Sequence, residues 1–148
     1  MLGMKAVLIS CIVLILAAAA VAQNDRSLRA IVYVYSPPAN VVGNLHKTLL
    51  VDEKEAVEVK PRRYFILLLE PGKHTLHFKD KTWGGIEKEF AAGETYYLKI
   101  GWREGGWAPK PDGISVESAE TGEFGVKNLK PLDDASIRDK TIVKTKIY

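Results

Sequence analysis

The sequence is almost free of cysteine, because Cys11 is the single one among 148 residues. Cys11 lies in an apolar N-terminal segment typical of an export signal, so removal of that segment leaves a mature chain without a thiol. The mature chain therefore cannot form a disulfide-stapled scaffold, a thiol nucleophile or a cysteine-ligated zinc site. It also cannot carry the acylated N-terminal cysteine of a bacterial lipoprotein.

The sequence also has no large excess of positive or negative charge. The chain has 21 Lys and Arg against 18 Asp and Glu, a formal net charge of +3. Positive and negative residues alternate, as in residues 52–55 and 86–89, which is typical of a solvated mixed surface. Nucleic-acid binding requires clustered Lys and Arg, so we predict no nucleic-acid partner.

The N-terminal segment has the three parts of a secretory signal. Lys5 supplies the charge, residues 6–22 are small and mostly apolar, and the sequence turns polar at Gln23. We predict cleavage between Ala22 and Gln23, which leaves a chain of single-domain size. An uncleaved membrane anchor is the alternative, although residues 6–22 would span about 26 Å as a helix, less than the roughly 30 Å of a bilayer core.

The rest of the chain lacks long apolar runs and shows short stretches with the period of β-strands. Residues 30–35 are β-branched and aromatic and stop at two prolines, and residues 45–51 and 56–60 predict a hairpin. Further strands are predicted at residues 64–69, 74–79, 86–90, 95–102 and 114–119. About seven short strands with regular turn signals predict an all-β fold, an antiparallel β-sandwich.

The connections are predicted from proline and glycine. Pro71 and Gly72 predict a hairpin with a type II turn, because proline presets φ and glycine accepts a positive φ. Residues 120–129 predict a short helical turn that Gly122 and Gly125 weaken, and the polar residues after Pro131 predict a loosely held tail. The predicted divisions are a signal helix over residues 1–22, a linker over 23–28, a β-sandwich over 29–130 and a polar tail over 131–148.

Several segments form an ordered set of motifs. They are the strand Ala-Ile-Val-Tyr-Val-Tyr at residues 30–35, Tyr-Phe at 64–65 followed by Pro-Gly-Lys-His-Thr at 71–75, Ala-Gly-Glu-Thr-Tyr-Tyr at 92–97, and an acidic segment ending in glycine at 117–122. Over residues 29–130 this set resembles the domain of unknown function 2846 family of exported bacterial proteins. The resemblance implies a small β-sandwich with an export signal and supplies no catalytic residues. Many family members carry a lipid-modified cysteine after the signal, and Gln23 departs from that pattern.

No motif of the mature chain predicts catalysis. His74 and His77 are three residues apart, which places them on opposite faces of a strand, so His46 could join only one of them around a metal. Glu87 and Glu89 share a strand face but lie among lysines, which indicates solvated ion pairs rather than a pair of catalytic carboxylates. We therefore predict that the protein is not an enzyme and has no metal or cofactor.

The aromatic residues of the glycine-rich segments are the best candidates for partner binding. Trp83 precedes two glycines, and Trp102, Arg103 and Trp107 lie in or beside the loop over residues 103–113. Trp and Arg on loops are frequent at interface hot spots. Packing is the favoured interpretation of the tryptophans, because Trp102 continues the inward face of its strand and the other two could cap the sandwich.

Together these features predict an exported, non-enzymatic β-sandwich, periplasmic or extracellular, that acts as a binding or structural module of the cell envelope or the extracellular space. Its partner would be a protein or a glycan, and it would contact a membrane only if the signal segment is retained. The alternative is a carbohydrate-binding or hydrolytic protein that uses the tryptophan-rich end.

Overall fold

The computed structural model describes residues 28–38, 47–80, 84–103 and 110–147, without the side chains of residues 103 and 110–112. These residues form ten strands in two sheets, one α-helix and a short 3-10 turn. The elements are β1 (Ala30–Ser36), β2 (Lys47–Val51), β3 (Lys54–Val59), β4 (Arg63–Leu69), β5 (Gly72–Phe78), β6 (Ile86–Phe90), β7 (Thr95–Arg103), β8 (Lys110–Glu117), α1 (Ala119–Lys127), β9 (Lys130–Pro131), the 3-10 turn (Asp134–Ser136) and β10 (Val143–Lys144).

The predicted all-β sandwich is confirmed, but the strands are not all antiparallel. The first sheet has the order β10-β4-β1-β7-β8 with β9 also beside β4, and the second has the order β3-β2-β5-β6. Strands β1 and β7 run parallel, as do β4 and β9. Parallel neighbours need a long connection, and here the chain builds the whole second sheet between β1 and β7.

The core lies between the two sheets and follows from the alternation of side chains along each strand. In β1, Ala30, Val32 and Val34 are fully buried and face the second sheet together with Leu67 and Leu98 of neighbouring strands. The second sheet contributes buried residues of its own: Leu49, Val51, Val57, Val59, Leu76, Phe78 and Phe90.

The hairpin predicted from residues 45–51 and 56–60 is confirmed as β2 and β3. Asp52 and Glu53 form its turn with φ angles of 50° and 66°. Positive φ at both central residues is the requirement of the type I′ turn, whose twist matches that of the flanking strands. The turn therefore presents two adjacent carboxylates at a fixed end of the sandwich.

The hairpin predicted at Pro71 and Gly72 is wrong. Strand β4 pairs with β1 in the first sheet and β5 pairs with β2 and β6 in the second, so these residues carry the chain from one sheet to the other. Gly72 does have a positive φ, 130°, as expected. The periodicity indicated two strands correctly, but it contains no information about which strands they pair with.

The helical segment is better formed than its two glycines suggested. Helix α1 begins after Ser118, whose hydroxyl accepts the amide of Thr121 at 3.2 Å. A Cβ atom on Gly122 would lie 2.1 Å from the ring of Tyr97, and one on Gly125 would lie 2.5 Å from the ring of Tyr35. The glycines therefore permit close packing of α1 on the outer face of the first sheet.

The prediction of a loosely held tail is wrong for residues 131–147. Leu132 and Val143 are buried in the core, and β10 pairs with β4. The amides of Arg138 and Asp139 both donate to the carbonyl of Ala56, which ties the segment to the edge of β3. Apolar residues spaced far apart in a polar segment were sufficient to anchor it. The predicted signal helix lies outside the described residues, and the boundaries of the predicted divisions stay predictions.

Candidate functional site

The sandwich has two ends with different chemistry. We call the end that holds Arg29, Asp52, Glu70 and His74 the histidine end. The loop end is the opposite one, where β1 ends, β4 begins and β7 ends, since Ser36 is the register partner of Arg63 and β7 continues past it. Titratable side chains converge at both ends, so each is a candidate site.

His74 is held between two acceptors at the histidine end. Its Nδ1 lies 2.5 Å from Oδ2 of Asp52, and its Nε2 lies 2.7 Å from the carbonyl oxygen of Glu70. The other oxygen of Asp52 accepts the amide of Thr75 at 3.0 Å. The imidazole therefore joins the β2–β3 turn to the segment that crosses between the sheets, and we call this arrangement the His74 clamp.

The contacts of the clamp favour the charged form of His74. A carboxylate and a carbonyl oxygen are both acceptors, so the two contacts suit an imidazolium, in which both ring nitrogens donate. Burial lowers the pKa of His74, but the hydrogen bonds and negative charge of Asp52 and Glu70 outweigh burial and hold the pKa above its usual value. For Asp52, burial raises the pKa, but the bonds from His74 and Thr75 outweigh it and lower the pKa overall.

The clamp resembles the carboxylate–imidazole pair of many hydrolases, but it lacks the free nitrogen that such a pair needs. In catalysis the carboxylate orients one ring nitrogen and the other takes a proton from the nucleophile. In this chain the second nitrogen of His74 already donates to Glu70. The geometry therefore supports a structural role for His74 and offers no base to a substrate.

The second histidine of β5 has a similar role on the opposite face. Nε2 of His77 lies 2.8 Å from Oε1 of Glu53, the neighbour of Asp52 in the turn. His74 and His77 therefore hold the two carboxylates of one turn from the two faces of β5, as their odd spacing predicted. In the described ranges, no three His, Cys, Asp or Glu side chains come close enough to hold a metal ion.

A cavity of about 360 Å³ lies beside the clamp. Each of its carboxylates has a partner: Asp52 has His74, Glu70 has Arg29 at 3.0 Å, and Asp139 accepts the amide of Thr141 at 2.9 Å. The hydrogen bonds from Thr141 also lower the pKa of Asp139. The carboxylates of this cavity are therefore all engaged by other groups of the fold.

At the loop end, Trp102 is the predicted site residue whose side chain the structure describes. Its indole is half-buried against the core, and its Nε1 donates to the hydroxyl of Ser36 at 2.6 Å. Ser36 is only 1% exposed, so this bond satisfies a buried hydroxyl. This placement agrees with the packing interpretation of Trp102. The side chain of Arg103 and the residues Trp83, Trp107, Ala22 and Gln23 lie outside the described residues.

The loop end also contains a group of cations that the sequence analysis did not single out. A cavity of about 530 Å³ is lined by Arg62, Arg63, Lys130, Pro38, Pro61, Asn128 and Leu129. The two arginines are consecutive in the sequence, but Lys130 is far from them and becomes their neighbour only through the pairing of β4 with β9. The one available signal was two arginines directly after Pro61.

Comparisons of the chain with protein-family models, with curated proteins and with solved structures found no match. A search for membrane-spanning helices, over the described residues, found none long and apolar enough. By its fold, the chain is a β-sandwich with a helix packed on one outer face and with the His74 clamp at one end.

Proposed function

We propose that the chain is an exported, non-enzymatic β-sandwich that acts as a binding or structural module of the cell envelope or the extracellular space. The observation that carries the proposal is the His74 clamp. The residue best suited to acid–base chemistry uses both ring nitrogens to close the fold. Two sequence features support the proposal: the predicted export signal, with cleavage between Ala22 and Gln23, and the resemblance to the domain of unknown function 2846 family.

The loop end is the proposed contact surface. The bond between Trp102 and Ser36 holds the end of β7 against the core. The sequence of the β7–β8 loop supplies Arg103, two glycines and Trp107, and a loop with such residues on a rigid scaffold is typical of binding surfaces. The carbohydrate-binding or hydrolytic alternative gains nothing from Trp102, because its indole packs against the core.

The proposal is tested by partner capture from the compartment in which the protein is found. The double variant Arg103→Ala and Trp107→Ala should lose the captured partner while its melting midpoint stays nearly unchanged. The matched control is Leu28→Ala with Lys54→Ala, which removes an exposed apolar residue and an exposed cation from the histidine end. We expect the control to retain the partner.

Two results would contradict the proposal. One is capture that survives the loop substitutions or is lost equally in the control, since the loop would then not be the contact surface. The other is protein that stays in the cytoplasm.

Intact-mass measurement on the exported protein gives the expected N-terminus, Gln23, whereas a mass that includes residues 1–22 in the membrane fraction identifies the anchored form.

A further inference from the structure

Three cations surround one cavity at the loop end. Arg62 lies in the turn between β3 and β4, Arg63 begins β4, and Lys130 begins β9. The cavity measures about 530 Å³, which is within the range of about 300–1,000 Å³ typical of small-molecule sites. The other lining residues are two prolines, a leucine and an asparagine, so the three cations supply all the charge of the cavity.

No carboxylate among the described residues neutralises the positive charge of this cavity. Arg63 and Lys130 are direct register partners on parallel strands, and like charges in that position repel each other. Within the described ranges, none of the three cations forms an ion pair with a carboxylate. Asp133, which follows Lys130 closely in the chain, is already engaged by Lys60 at 2.9 Å and by the hydroxyl of Ser136.

The backbone of Arg62 places a long cationic side chain at a strained turn position beside the cavity. Its φ is 60°, in the left-handed region that glycine adopts easily and that a long side chain adopts at a cost. Arg62 follows Pro61 in the turn between β3 and β4, and a proline followed by a residue of positive φ is the pattern of a type II turn. A glycine at this position would relieve the backbone but would remove a guanidinium from the mouth of the cavity.

We propose that this cavity binds a ligand through a phosphate group. Two guanidinium groups offer paired donors that match phosphate oxygens, and three positive charges suit a group with at least two negative ones better than a single carboxylate. Pro38, Pro61 and Leu129 form apolar walls for the uncharged part of the ligand. The inference deepens the proposed binding role of the loop end and rests on it.

The test is a titration of the purified protein with pyrophosphate, followed by the backbone amide signals of Arg62, Arg63 and Lys130. We expect saturable shifts at physiological ionic strength that weaken as salt is raised. The double variant Arg62→Gly and Arg63→Gln should weaken binding by about a hundredfold, roughly tenfold for each charge-assisted contact removed. The control Lys54→Gln with Lys140→Gln makes the same change in net charge at residues that line other cavities and should bind normally.

The single variant Arg62→Gly separates a binding role from a structural one. We expect its melting midpoint to be unchanged or raised, because the backbone strain is relieved, while its affinity for pyrophosphate falls about tenfold. A lower midpoint with unchanged affinity would overturn the proposal, because Arg62 would then serve the fold.

A second arm identifies the source of the phosphate. Vesicles of phosphatidylglycerol are compared with vesicles of phosphatidylcholine for the unchanged protein and for the double variant. Arginine-dependent binding to phosphatidylglycerol indicates a lipid headgroup, and binding to pyrophosphate alone indicates a soluble phosphate ester. If neither probe binds, or if both arginine variants bind as the unchanged protein does, the phosphate site is refuted. Partner capture through Arg103 and Trp107 is measured separately, so the broader binding role can survive that result.

Discussion

The packing of α1 on the first sheet predicts that Gly122→Ala destabilises the protein, although helix propensity alone favours alanine. In an isolated helix, Gly122→Ala would stabilise by about 1 kcal/mol. In the protein, the new Cβ would lie 2.1 Å from Cγ, 2.2 Å from Cβ and 2.5 Å from Cδ1 of Tyr97. Carbon atoms in contact are normally about 3.5–4.0 Å apart, so the helix and the tyrosine must separate by more than 1 Å.

Tyr97 has little freedom to move away. It is 9% exposed and stacks on Tyr33 with ring centroids 5.2 Å apart and an interplanar angle of 12°. Overpacking of this kind costs about 1–3 kcal/mol, and the gain in helix propensity offsets part of it. We therefore expect Gly122→Ala to lower the free energy of unfolding by about 1–2 kcal/mol.

The measurement is urea denaturation followed by far-ultraviolet circular dichroism, on the protein and on a peptide of residues 118–128. The peptide should gain helix with alanine while the protein loses stability. Phe124→Ala is the control, because Phe124 lies in the same helix and is 72% exposed, so its truncation should leave the midpoint nearly unchanged. If Gly122→Ala stabilises the protein as it does the peptide, the helix does not lie on Tyr97 as described.

Three further predictions follow from the ends of the sandwich. Gly72→Ala should lower the free energy of unfolding in a denaturant melt by about 1–3 kcal/mol, because the φ of 130° is strained for alanine although the space around the new Cβ is open. An unchanged midpoint would contradict this φ angle. Burial lowers the folded pKa of His74, but hydrogen bonds to Asp52 and Glu70 hold it above its unfolded value, so its contribution to stability is complete below about pH 6.5 and is lost as the pH rises through the folded pKa. His74→Gln should flatten this decline above about pH 6.5, and an equal slope would contradict the clamp. Trp102→Phe should lower the free energy of unfolding by about 1–3 kcal/mol, because it leaves the buried hydroxyl of Ser36 unpaired. Adding Ser36→Ala to the same chain should restore part of that loss, and additive losses from the two substitutions would argue against the bond.

The sequence predicted strands better than it predicted their partners. The β-branched and aromatic composition of β1 with its proline stop, and the turn residues after β2, were sufficient to place those strands, because both signals are local. The crossing at Gly72 and the parallel pairing of β1 with β7 depend on contacts between distant residues, which periodicity does not report. The same limit applies to the C-terminal segment, where Leu132 and Val143 become core residues despite polar neighbours.

For the candidate sites too, local features could be predicted from the sequence and long-range contacts could not. The spacing of His74 and His77 was sufficient to predict opposite faces, but not that Asp52 and Glu53 would hold them, because the type I′ turn sets where those carboxylates point. Trp102 was correctly interpreted as continuing the inward face of its strand. The cationic cavity could not be predicted, since β9 brings Lys130 beside Arg63 only in the folded chain.

The protonation state of His74 tests the account most directly. Nitrogen-15 NMR of the imidazole ring, assigned with the His74→Gln variant, reports whether each nitrogen carries a proton. The clamp predicts that Nδ1 and Nε2 are both protonated at pH 6 and that the ring deprotonates only above the usual histidine pKa of about 6.5. A neutral ring with one bare nitrogen at pH 6 would contradict the clamp, because His74 would then be a free base at the end of the sandwich and the non-enzymatic assignment would lose its support.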